Sequence, residues 1–239
     1  MTEWSMRRFW NDASVVPEGD GFAIKLDGKG VKTPAKSPLT VPTRSLAAAI
    51  ATEWRAQGEK VDPGSMPFTR MANSAIDKVR QQKTEVADML AAYGDADLLC
   101  YRADHPAELM ARQAAGWDPL LDWAADHLHA RLVPRFGVIH APQSMDALQQ
   151  LSWKVHDLDN FELAAFHDLV TMTGSLILGF AVSECYLSAR DAWILSRIDE
   201  TWQQEQWGED EEAAEVAAVK ESEFLHAAVF LTHTRGKLV

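Results

Sequence analysis

The stretch FAIKLDGKGVKTPAKSPLTVPTRSLAAAIATEW, Phe22–Trp54, decides the fold, because its apolar period changes part-way along. Phe22 to Leu26 and Val31 to Thr33 read as two short strands around DGKG, since Asp-Gly accepts the positive φ that tight hairpin turns require. Pro34, Pro38 and Pro42, with Pro17 upstream, recur too closely for any helix, and Val15, Val16, Leu39 and Val41 supply further β-prone pieces. After Pro42 the spacing becomes helical. Thr43 is a candidate cap, Leu46, Ala49, Ile50, Ala51 and Trp54 recur on one face, and Gly58 is a stop.

Downstream the helical pattern persists. Met71, Ile76, Val79, Val86, Met89 and Leu90 mark a stretch over about 69–93, broken near its middle. A run from Pro106 to about Ala130 carries Leu109, Met110, Trp117, Leu120, Leu121, Trp123 and Leu128, with a kink or break expected at Gly116 and Pro119. Helices are further expected from Ser144 to His156, Phe161 to Thr173, Ser175 to Leu187, Ser188 to Gln206 and about Glu209 to Glu223. The expected fold class is therefore α+β: a β-rich N-terminal domain over 1–42 with attached helices to about 93, then a helical domain over 94–239. No fixed-period repeat is visible, which argues against solenoids.

The chain has 239 residues, 47% hydrophobic and 24% charged, the make-up of a folded water-soluble protein rather than a disordered, collagenous or coiled-coil one. Lys plus Arg number 23 against 35 Asp plus Glu, a formal −12, so the molecule repels phosphate backbones and nucleic acid is not an expected partner. The longest apolar run, Ser175 to Val182, is less than half of the roughly 20 residues a membrane span needs, so it is expected in a core. Cys100 and Cys185 form no CxxC pair, and a reducing compartment fits them. The N-terminal MTEWSMRRFWND lacks an apolar h-region and is too acidic for a transit peptide, which points to the cytoplasm.

Catalytic signatures fail one by one. Gly174 and Gly179 have P-loop spacing, but Phe180 stands where lysine must be. His127 and His129 are two apart, roughly 200° around a helix, and cannot chelate one metal together. His156 and His167 are isolated, and TGSLI lacks the second glycine of a nucleophile elbow. Neither a catalytic residue nor a cofactor or metal ligand is assigned.

Surface is more telling. Between Asp199 and Glu223 lie ten acids and one base, Lys220, a net −9 that makes up three quarters of the whole charge. A solvated face explains such a run, but Trp202 and Trp207 sit inside it, and aromatics amid charge are a common make-up of partner-binding surfaces. Repulsion between copies of this segment favours a monomer when the chain is free. Of the other tryptophans, Trp54, Trp117, Trp123, Trp153 and Trp193 are expected in the core, while Trp4 and Trp10 are either an exposed anchor or folded back on the sheet.

Several pieces taken in order resemble a known family. RFW at 8–10, LDGKGVKTP at 26–34, the run Leu46–Asp77, DLLCYRA at 97–103, WDPLLDWA at 117–124 and WGEDEEA at 207–213 are similar to the F1-ATPase assembly chaperones that bind the α subunit, over about Arg7 to Ala214. The resemblance implies a two-domain fold without catalysis. It also implies that the chain keeps the unassembled F1 α subunit soluble until it meets β, in the mitochondrial matrix for eukaryotic members and the cytoplasm for a bacterial one. Carried over residue by residue, the tryptophan of the EW pair is Trp54, and a functional C-terminal acid is Glu200, Glu211 or Glu212 near Trp207. Two rival readings stand beside it: a general holdase, and a small-molecule enzyme with an interdomain pocket built from Arg70, Asn73, Asp77, Asp97 and Arg102.

Overall fold

The computed structural model describes residues 7–137, 139–208 and 210–236, with a small N-terminal sheet followed mostly by helices. Contacts divide the chain into two compact units, each discontinuous in sequence. One comprises the described residues of Met1–Lys83, Asn160–Ala165 and Val229–Val239, and the other comprises Thr84–Asp159 and Phe166–Ala228.

In the first unit, β1 (Ala13–Glu18) and β2 (Gly21–Leu26) form an antiparallel hairpin, with Ala13 opposite Leu26 and Glu18 opposite Gly21. The other edge of β2 takes β3 (Lys29–Gly30) at Leu26 and Lys25, and β4 (Thr40–Val41) at Phe22 and Ala23. Asp27 and Gly28, at φ 45° and 81°, make the tight turn that Asp-Gly signalled, although the return strand starts at Lys29 rather than Val31. The Asp27 carboxylate also accepts the backbone N–H groups of Asp12 and Asn11, bonds that hold its pKa below the usual carboxylate value.

Helix α1 (Arg44–Ala56) starts where the Thr43 side chain accepts the N–H of Leu46, and it lays Leu46, Ala47, Ile50, Ala51 and Trp54 against β1 and β2. Each large aliphatic side chain buried this way is worth ~1.5–3 kcal/mol. Trp10 folds back into this core, its ring edge-on to Trp54 at 5.1 Å, and its indole N–H bonds the Trp54 carbonyl at 3.2 Å. Trp4 lies outside the described residues.

The family-like motifs serve as staples here. Glu53 receives the N–H groups of Phe68 and Thr69 at 2.7 and 2.8 Å and the Thr69 hydroxyl at 2.6 Å, capping α2 (Pro67–Asp77) from a neighbouring helix. Arg8 donates to the carbonyls of Trp10, Asn11, Arg55 and Gln57, tying the N-terminal segment to the C-terminal end of α1.

The second unit is helical: α3 (Lys83–Ala91), α4 (Ala107–His127), α5 (Met145–Asp157), α7 (Leu176–Ser183), α8 (Ala189–Ser196) and α9 (Ile198–Trp207), with β5 (Tyr101–Arg102) paired in parallel with β6 (Arg135–Phe136). Helices α6 (Asn160–Thr173) and α10 (Glu211–Thr234) each run from one unit into the other. Helix α4 passes through Pro119 without the expected break. The ring removes one backbone bond, at ~3 kcal/mol, which burial of Trp117, Leu120, Leu121 and Ala124 offsets. The apolar run at 175–182 is the buried α7, whose Gly179 must stay bare because a Cβ would lie 2.8 Å from Val170.

Two expected helices change. Ser188 to Gln206 splits at Arg197 into α8 and α9, and the last helix continues to Thr234 rather than ending at Glu223, burying Phe224, Ala227, Phe230 and Leu231. Of the tryptophans expected in the core, Trp54, Trp117 and Trp193 are buried, Trp123 is half-buried in a stack with Tyr186 and His127, and Trp153 faces solvent. Among the described residues, no helix is long and apolar enough to cross a membrane, and no group of three His, Cys, Asp or Glu side chains is placed to hold a metal.

Candidate partner-binding surface

The acidic segment folds as a helical hairpin, α9 and the first half of α10. Gly208, at φ 95°, ends α9 in a conformation that suits glycine, and its N–H bonds the Gln204 carbonyl. Asp210 then caps α10, its Oδ1 accepting the N–H groups of Glu212 and Ala213 at 3.0 and 3.2 Å. Across 198–223, Ile198 alone is buried among the described residues. Trp207 is 80% exposed, and Val216 and Val219 are 51% and 60% exposed.

The base of the hairpin is held from α4. Arg112 makes a two-pronged ion pair with Glu205, 2.9 and 2.8 Å, while its guanidinium lies 5.1 Å from the Trp202 ring centre. That hydrogen bonding lowers the Glu205 pKa and raises that of Arg112. Beside it, the Gln113 amide donates to Asp199 at 2.7 Å, and Ile198 packs close to Gly116.

The acids therefore divide into two sets. Asp199, Glu200, Glu205, Asp210 and Glu221 have partners within the fold, Glu200 through Arg197 at 2.7 Å and Glu221 through Arg190 at 4.0 Å. Glu211, Glu212, Glu215 and Glu223 form no ion pair with any described residue, and Glu209 lies outside the described residues. Glu211 and Glu212 occupy the first turn of α10, where the helix dipole favours them. Beside them is an open groove of about 410 Å³ lined by Arg197, Asp210, Glu212, Ala213, Val216, Ala217 and Lys220.

Of the nominated residues, Trp207, Glu211 and Glu212 thus meet at one turn, and Glu200 sits at the base of α9, about 10 Å along the helix from Trp207. Trp54 belongs to the other unit and is buried, and its indole N–H has no hydrogen-bond partner among the described residues. Sequence reasoning missed Ala213, Val216, Ala217 and Val219. Ala213, Val216 and Ala217 stand at i, i+3 and i+4 between acids, a small apolar stripe that a charge count overlooks, and Val219 is exposed to one side of it.

Three of the five residues nominated for an enzymatic pocket, Asp77, Arg102 and Asp97, are spent on structure, whereas Arg70 is exposed and the Asn73 side-chain oxygen is buried without a hydrogen-bond partner among the described residues. Asp77 accepts the Thr33 hydroxyl at 2.7 Å and the Ala35 N–H at 3.0 Å. Arg102 pairs with Asp118, donates to the Leu99 carbonyl and covers the Trp117 ring. Asp97 is fully buried and receives the Ser175 hydroxyl and the N–H groups of Leu99 and Ile177, so one carboxylate caps both the turn at 98–100 and α7. Burial still outweighs these donors and raises its pKa to about 6. Both cysteines are free, and burial pushes the Cys100 thiol up to about 12.

Residues 7–125 match the family described as ATP12 chaperone protein. Atp12 from Paracoccus denitrificans is 50% identical, covering 98% of this chain and 100% of its own, with a TM-score of 0.95. The chain belongs to the ATP12 chaperone family. An aspartate-to-lysine mutant of the P. denitrificans Atp12p superposes equally well, with a TM-score of 0.96 over the same coverage. The mitochondrial protein atp12 of Schizosaccharomyces pombe is 28% identical over 225 residues, 89% of this chain and 77% of that protein. The ATP12 family match ends inside α4, so the hairpin lies beyond it, whereas the solved P. denitrificans structures cover nearly the whole chain.

Proposed function

We infer that this chain is a non-enzymatic chaperone that binds the unassembled F1 α subunit, acts in the cytoplasm, and keeps its client soluble until β replaces it. Its family serves F1-ATPase assembly. The observation that carries the reading is the hairpin at 198–223, which exposes Trp207 and unpaired glutamates while burying only Ile198 among its described residues. An unassembled subunit presents surface that its neighbour later covers, and such patches aggregate. A reversible cover needs charge to speed and select the encounter and a few anchors to hold it. Release needs a competitor with a better interface rather than a reaction. Trp54 contributes through the fold, by holding α1 against Trp10.

The test is co-expression of tagged chain with F1 α or F1 β alone, at low and moderate salt. Capture of soluble α but not β, weakened by salt, is expected. Glu211→Lys with Glu212→Lys should weaken capture of α while lowering stability by only ~0.3–1 kcal/mol per charge through the helix dipole. Equal capture of α and β, or of many unrelated unfolded proteins, would favour a general holdase.

A further inference from the structure

The groove beside α10 is polarised, and its polarity points to a particular shape of ligand. Its floor is Ala213, Val216 and Ala217 on successive turns of one helix face. At one end stand Asp210 and Glu212, with unpaired Glu211 and Glu215 alongside. At the other end is Lys220, the only base in the segment, about 12 Å further along the helix from Glu212. Arg197 also lines the groove, but Glu200 already neutralises it at 2.7 Å. Asp210 spends one carboxylate oxygen on the cap of α10.

Small side chains on the floor let another backbone approach closely, and Val216 stands half exposed with no apolar residue, among the described ones, lining the groove opposite it. This suits an amphipathic helix laid lengthwise, the mode in which an apolar stripe at i, i+3 and i+4 fills a groove. Resting on the functional reading above, we propose that the groove takes one amphipathic helix of the F1 client subunit. That helix carries an aliphatic residue over Val216, lysine or arginine at the end facing Glu211, Glu212 and Glu215, and a carboxylate at the end facing Lys220. Charge at both ends fixes the direction in which it lies, which a uniformly acidic surface does not do.

Lys220→Glu separates this mode from simple attraction between an acidic chaperone and a basic client. The substitution makes the segment more negative, so bulk attraction would tighten binding, whereas a directed groove loses one of its two end contacts. Binding of purified F1 α to wild type, Lys220→Glu, Val216→Asp and a control, Lys36→Glu in the N-terminal unit, is measured by titration calorimetry, with melting curves for each. Weakening of about tenfold by both groove variants, with unchanged melting and an unaffected control, is expected. If wild type binds α but Lys220→Glu binds as well or better and Val216→Asp is neutral, the groove is not the seat. If wild type itself fails to bind α, the α-subunit reading falls, and the proposal with it.

Discussion

Asp97 shows what a single buried charge does to this fold. It is fully buried, yet a hydroxyl and two backbone N–H groups converge on it, joining the turn at 98–100 to the start of α7. Burial raises its pKa from 3.8 to about 6, so between about pH 4 and 6 the folded chain keeps a proton that the unfolded chain has released. Its titration therefore favours folding at low pH and loses that contribution as pH rises through about 6. Asp97→Asn cannot titrate. The stability of wild type relative to this variant, from urea midpoints, should fall by on the order of 2 kcal/mol between pH 4 and 7. A difference that stays flat or rises over that range would show that the donors keep the carboxylate ionised throughout.

The hairpin sets the terms at the level of elements. A ten-residue helix and the exposed half of a long one bury too little to be stable alone, since isolated helices of this length are marginal in water. What holds α9 is its seat on α4: Ile198 near Gly116, Gln113 to Asp199, and Arg112 to Glu205 and Trp202. Arg112→Met keeps much of the contact with Trp202 but removes the charge. Hydrogen exchange should then quicken across α9 and the first half of α10, with the melting temperature and the exchange of α7 unchanged. Uniform quickening throughout the second unit would mean that Arg112 supports the core instead.

The split of α8 from α9 was illegible in sequence for a related reason. No glycine or proline marks it. Arg197 takes φ −110° and ψ 16° to end one helix, and Ile198 begins the next and turns inward beside Gly116. That choice is made by packing on α4, a partner some 80 residues away along the chain.

For the whole molecule, the far end of the chain completes the first unit. Phe230 stacks on Phe68 at 6.3 Å, and the His233 carbonyl accepts the Thr43 hydroxyl at 2.6 Å. The His233 ring meets the Ser45 hydroxyl at 2.6 Å, and Arg235 pairs with Glu162 at 2.7 Å. Phe230 is fully buried, so Phe230→Ala should cost ~3–5 kcal/mol. Urea unfolding followed by hydrogen exchange should place that loss in the sheet and α1; intact protection there would show that the return segment is dispensable.

Local chemistry in the sequence was enough for the change from strands to helices near Pro42, the Asp-Gly turn, the Thr43 cap and the buried run of α7, because each depends on neighbours within a few residues. It also carried the acidic character of the hairpin and, through its motifs, the family. Tertiary structure alone decided that Glu205 is claimed by Arg112, that Glu53 of the EW pair caps α2, that Trp153 faces solvent, and that α10 continues past Glu223. Those outcomes rest on contacts between residues tens to hundreds of positions apart, and no local period or propensity encodes which distant partner a side chain will meet.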